Sequence, residues 1–147
     1  MKKGIICIVL ALFVLPIVSA ACVLDVDMIN QDPYPATPGD YVDVVFQVNG
    51  VQNPDCGIVV FEVMEEFPFS LDPGVDARTQ IRAGTYSKDF GSFLIVPHKL
   101  RVDEDALDGN SPVEISYSTG LVSDPVSIDK EFNINIQDSR TDFEVSI

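Results

Sequence analysis

From residue 22 onward apolar side chains recur at every second position, and clusters of Pro, Gly, Asp and Asn interrupt the rhythm. An extended chain puts alternate side chains on opposite faces, so this period specifies half-buried β-strands and excludes helices, whose period is about 3.6. Over 22–29, Cys22, Leu24, Val26 and Met28 share one face, with Asp25 and Asp27 opposite. Tyr41–Asn49 places Val42, Val44, Phe46 and Val48 together, and 57–64 is almost wholly apolar, as a central strand is. Arg78–Arg82 is a weaker strand. Phe93–Val102 aligns Leu94, Val96, His98, Leu100 and Val102. Segments 112–118 and 130–136 align Val113, Ile115 and Tyr117, then Phe132, Ile134 and Ile136. Turn signals lie between: Pro33, Pro35, Pro38 and Gly39, then Asp72-Pro73-Gly74, then Asp108-Gly109-Asn110. The expected fold is all-β, an immunoglobulin-like antiparallel β-sandwich of about seven strands over 22–137. A small barrel fits the same pattern. With no Trp in the chain, the Cys…Trp…Cys framework of antibody domains is missing.

The strands are preceded by a different kind of segment. Lys2 and Lys3 lead into an apolar run from Ile5 to Val18, followed by the small residues Ser19, Ala20 and Ala21. That order is a secretory signal peptide over 1–21. The charge-free stretch 4–24 is also long enough to serve as an uncleaved hydrophobic helix anchored in a bilayer. Lipidation of Cys22 is a third route, although the leucine of a lipobox is missing. All three routes export the chain to the cell surface or beyond. Losing Lys2 and Lys3 leaves 7 of 9 basic residues against 23 acidic ones, a net charge of −16. Nucleic acid is excluded as a partner, since phosphate binding needs clustered Lys and Arg. The membrane is met only through the N-terminal segment, if uncleaved or lipidated.

Three motifs in order carry a resemblance. They are Asn-Gln-Asp-Pro-Tyr-Pro-Ala-Thr-Pro-Gly-Asp-Tyr-Val-Asp at 30–43, Glu-Phe-Pro-Phe-Ser-Leu-Asp-Pro-Gly at 66–74, and Arg-Val-Asp-Glu-Asp-Ala-Leu-Asp-Gly at 101–109. Together they resemble the Ig-like domains of archaeal S-layer-like surface proteins, which are related to an accessory domain found beside some α-galactosidases. The resemblance implies an exported structural or adhesive module and carries no catalytic residues. It also implies a longer protein, with a second sandwich and a membrane segment further on. Segment 138–147 is then either an extra edge strand or the start of a second domain. Phe143, Val145 and Ile147 give it one apolar face, which suits pairing with a neighbouring chain. Within the motifs, Phe67 and Phe69 are expected to plug one end of the sandwich, and Ala106 and Leu107 the opposite rim.

The chemistry-bearing residues are few. Cys22 and Cys56 are expected to form a disulfide, because the mature chain meets oxidising conditions. Closing 34 residues contributes about 3.5–4 kcal/mol in the chain-entropy picture. Asp103, Asp105 and Asp108 are weak Ca²⁺ candidates, beside Glu104 and Gly109. Their spacing departs from an EF-hand loop, which favours a solvated acidic rim. Asp72 and Asp76 flank another turn. His98, the only histidine, falls in phase with an apolar face and is expected to be structural, near the sheet end. Without a Gly-x-Ser-x-Gly elbow or a marked carboxylate pair, no catalytic residue is assigned. No cofactor and no enzymatic activity are expected. The expected partners are other envelope proteins, a second copy through an edge strand, or carbohydrate.

Overall fold

The computed structural model describes residues 22–84, 93–119 and 126–138. The segment 1–21 expected to be a signal or anchor and the strand expected over 141–147 lie outside them. Eight strands follow in order: β1 (Asp25–Asp32), β2 (Tyr41–Asn49), β3 (Ile58–Val63), β4 (Phe69–Ser70), β5 (Arg78–Arg82), β6 (Phe93–Val102), β7 (Gly109–Thr119) and β8 (Val126–Ile136). One sheet has the order β1-β2-β6-β4 and the other β5-β3-β7-β8, and every strand pair is antiparallel.

The alternation explains why the sheets face each other. Val42, Val44, Phe46 and Val48 of β2 are fully buried, as are Val59 and Phe61 of β3 and Ile115 of β7. They form one core with Val96, Leu100 and Val102 of β6 and Ile134 and Ile136 of β8. Phe46 joins the sheets at the centre, 5.3 Å from Phe61 and 5.6 Å from Phe132 between ring centroids.

The structure alters several expectations locally. In β1 Ile29 lies outward with Asp25 and Asp27, as the period requires, and the register shift between Met28 and Asn30 changes the phase beyond it, so that Asn30 is exposed and Gln31 half-buried. A bulge adds one residue to a strand, and the side-chain phase changes across it. β7 and β8 begin at Gly109 and Val126, earlier than the apolar positions announce, because polar residues complete an eleven-residue ladder. β4 is too short to show a period.

His98 is not at a sheet end. It sits mid-strand opposite Val44, 7% exposed, with its ring 5.8 Å from Phe61 and 6.5 Å from Phe46. Phe67 does not plug the sandwich: it is exposed, while its neighbours Pro68 and Phe69 are buried. Leu107 is exposed beside a buried Ala106. Nor do these loops occupy opposite rims, since the Asp103 amide donates to the Pro68 carbonyl at 2.9 Å.

The strand directions sort the connections into two ends. Residues 22–24, 50–57 and 83–84 lie at one, here called the disulfide end. Segments 33–40, 64–77, 103–108 and 137–138 lie at the other, the loop end. A nine-residue strand such as β2 separates them by about 30 Å.

Candidate functional site

At the disulfide end Cys22, just ahead of β1, is bonded to Cys56, the last residue of a 3-10 turn (Pro54–Cys56) leading into β3. β1 and β3 belong to different sheets, so the bond ties the sheets together. It also occupies the Cys22 sulfur that a lipid thioether would require. The approach is close: a Cβ on Gly50 would lie 2.2 Å from the Val23 carbonyl oxygen, and Gly50 has φ 92°. Only glycine fits there.

The edges are guarded. The Gln31 side-chain amide donates to the Asn135 carbonyl at 2.9 Å and accepts from the Asn135 amide at 3.0 Å. Ala36 continues that cover, donating to Asn135 and accepting from Gln137. Lys130 of β8 reaches the Asp25 carboxylate at 3.2 Å and the Val26 carbonyl. On β6, the Val102 amide donates to Asp40 on the β2 side and the Asp103 amide to Pro68 on the other. Since directions alternate along a strand, Pro97 falls on the side away from β2, where its missing N–H interrupts any ladder.

The loop end differs in chemistry. Its four segments hold ten Asp and Glu residues and no Lys, Arg or His, whereas the described segments of the disulfide end hold only Asp55. Leu107, Tyr34 and Phe67 stand 79%, 73% and 64% exposed there, with Val75 and Met64 also exposed. The backbone beneath is fixed by contacts between loops. Gly39 donates to the Val102 carbonyl, and a Cβ on it would meet Glu104 at 3.3 Å. The Asp138 amide donates to Asp108 at 2.6 Å, and the Leu71 amide to Glu65 at 3.1 Å. The Tyr41 hydroxyl donates to Asp72, at 2.9 and 3.1 Å from its two oxygens; that hydrogen bond, with the neighbouring charge, raises the tyrosine pKa.

The calcium candidates make local backbone contacts. Asp103 accepts from the Asp105 amide at 2.9 Å, closing a turn, while Asp108 faces Asp138. Among the described residues no three His, Cys, Asp or Glu side chains are placed to hold a metal ion. Ser70, Arg101, Asp103, Glu104 and Asp105 line an open hollow at this end. Asp72 and Asp76 keep their places at the turn; Asp76 accepts from the Arg78 amide at 2.9 Å.

The sequence showed the carboxylates but not their convergence, nor the exposure of Phe67, Leu107 and Tyr34. The available signal was the parity of the connections: in an up-and-down chain, alternate loops share an end.

These features define an all-β, two-sheet domain with a cross-linked apical turn at one end and an acidic, apolar-studded face at the other. No protein-family model matches the chain, and no curated protein matches it.

Proposed function

We propose that the chain is an exported, non-enzymatic module of the cell envelope with an Ig-like sandwich and a structural or adhesive role. The observation that carries this reading is polarity. The chain enters the sandwich at the disulfide end, at the close of the charge-free stretch 4–24, and its exposed, charged face lies about 30 Å away at the loop end. Such a domain holds its recognition surface away from the side on which it is tethered or secreted. The sheet orders β1-β2-β6-β4 and β5-β3-β7-β8 support the Ig-like reading, with β1, β2, β6 and β4 in the places of strands A, B, E and D. β3, β7 and β8 then stand as C, F and G; β4 departs by preceding the C-side edge strand β5.

Contact with other envelope proteins through the loop end is favoured over strand pairing at the edges. Gln31, Ala36 and Lys130 cover part of β8, and Pro97 breaks the outer side of β6. Fractionation of the source cells with mass spectrometry of the chain tests export. Recovery in envelope or medium is expected. An intact chain confined to the cytoplasm would overturn the proposal.

A further inference from the structure

We infer that a second copy of the chain docks on the outer face of the β1-β2-β6-β4 sheet, about a two-fold axis running along β2. Docking of this kind is independent of where the chain resides, and so of the envelope reading. Val42, Val44, Phe46 and Val48 face the core, so the alternate positions of β2 and its neighbours point to solvent. Those positions are not uniformly polar. Ile29 of β1 is 51% exposed, and Phe93 and Ile95 of β6 are 45% and 42% exposed. Pro97 is exposed opposite half-buried Val45, which pairs on its other side with Asn30, next to Ile29. An apolar band thus crosses three strands. The other sheet has no such band, since β3, β5 and β7 hold no exposed large apolar side chain.

Charge selects the occupant. A chain of net charge −14 repels its own copies over most of its surface. On this face, by contrast, Asp25, Asp27, Asp32 and Asp43 stand with Lys99 and Arg101, and Lys130 reaches Asp25 and Asp27 from the rim at 3.2 and 3.9 Å. The remaining described residues hold fifteen acids and two bases. The signs are also ordered: three of the four acids lie on β1, Lys99 and Arg101 lie on β6, and β2 runs between. A two-fold axis along β2 therefore lays β6 of each copy over β1 of the other. Asp32, Asp43 and Lys99 share one row of the sheet, so Lys99 comes to stand against the partner's Asp32. One row further on, Val45 meets its own counterpart on the axis and Pro97 lies over the Ile29 side. Arg101 also lines the loop-end hollow, which leaves Lys99, 4.7 Å over the Tyr41 ring, as the base this pairing uses. Three strands about 4.8 Å apart and about 30 Å long present roughly 400 Å² in projection. That is the low end for a specific interface, so the dimer is weak, with Kd on the order of 100 μM.

The test is sedimentation velocity of the full chain between about 10 and 500 μM, in non-ionic detergent if residues 1–21 are retained. A reversible monomer–dimer equilibrium is expected. Ile95→Glu should weaken it at least tenfold or so, about the effect of 1.4 kcal/mol, while Gln80→Glu, which adds the same charge outside the other sheet, should leave it within about twofold. Lys99→Glu and Asp32→Lys should each weaken association alone, because each sets like charges face to face across the axis. An equimolar mixture of these two variants should restore it, since every contact then joins opposite charges; a loss of folded stability could not produce that rescue. A parent that stays monomeric at about 500 μM overturns the inference, as does an equal loss in the Gln80 variant or a mixture that associates no better than its components.

Discussion

Removing the Cys22–Cys56 bond while leaving the sheets untouched isolates what the cross-link contributes. The perturbation is the double variant Cys22→Ala, Cys56→Ala, with reduction of the parent chain as an independent arm. The bond spans a sequence separation of 34. Restoring that loop's freedom to the unfolded chain costs about 12–13 cal/mol/K, or about 3.8 kcal/mol near 25 °C. Alanine avoids placing a hydroxyl at Cys56, which is fully buried. For a domain of about 115 residues the unfolding entropy is about 240 cal/mol/K, so the melting temperature should fall by about 15 °C. Calorimetry of oxidised, reduced and variant chains at neutral pH measures the shift, and thiol titration after denaturation establishes the bond. Both perturbed forms should refold to the same strand content by circular dichroism. A shift under about 4 °C would refute the reasoning, since the bond would then not restrict the unfolded chain. Two free thiols in the untreated protein, or a diacylglyceryl mass on Cys22, would remove its premise.

Three further outcomes are expected. Burial among Phe46 and Phe61 lowers the pKa of His98, with Asp76 opposing, and its Nε2 has no hydrogen-bond partner among the described residues. Because the unfolded chain binds the proton more readily, stability should be complete above about pH 6.5 and decline as pH falls below it. His98→Leu should flatten that slope of melting temperature against pH, and parallel slopes would refute the assignment. Phe61→Ala, at a fully buried ring, should cost about 3–5 kcal/mol in denaturant unfolding; a loss below about 1 kcal/mol would contradict the central packing. Gln31→Ala should cost about 1–2 kcal/mol and speed hydrogen exchange at the Asn135 amide, whose unchanged protection would show that the clasp does not close β8.

Local chemistry made much of the fold legible in the chain itself. Tyr41–Asn49, Arg78–Arg82 and Phe93–Val102 have the same bounds in the sequence pattern and in the structure. A two-residue period is a property of a strand and the face it buries, and needs no knowledge of its neighbours. Only two thiols lie beyond residue 21, which was equally plain and left one pairing among them. Packing decided the rest. The change of phase at Asn30 and Gln31 follows from a bulge set by pairing with β2, and the early starts of β7 and β8 follow from their mutual ladder. His98 reads as one more position on an apolar face, and only the packing sets it beside Phe46 of the neighbouring strand and Phe61 of the opposite sheet. Phe67 and Leu107 read as plugs because they are apolar and flank turns, yet the sandwich closes with Pro68, Phe69 and Ala106 inside and leaves them in water. The acidic loops are scattered along the chain, and their sequence neighbours say nothing about which of them meet. Antiparallel threading returns alternate connections to the same end, so the tertiary structure alone turned separate acidic turns into one charged and apolar face.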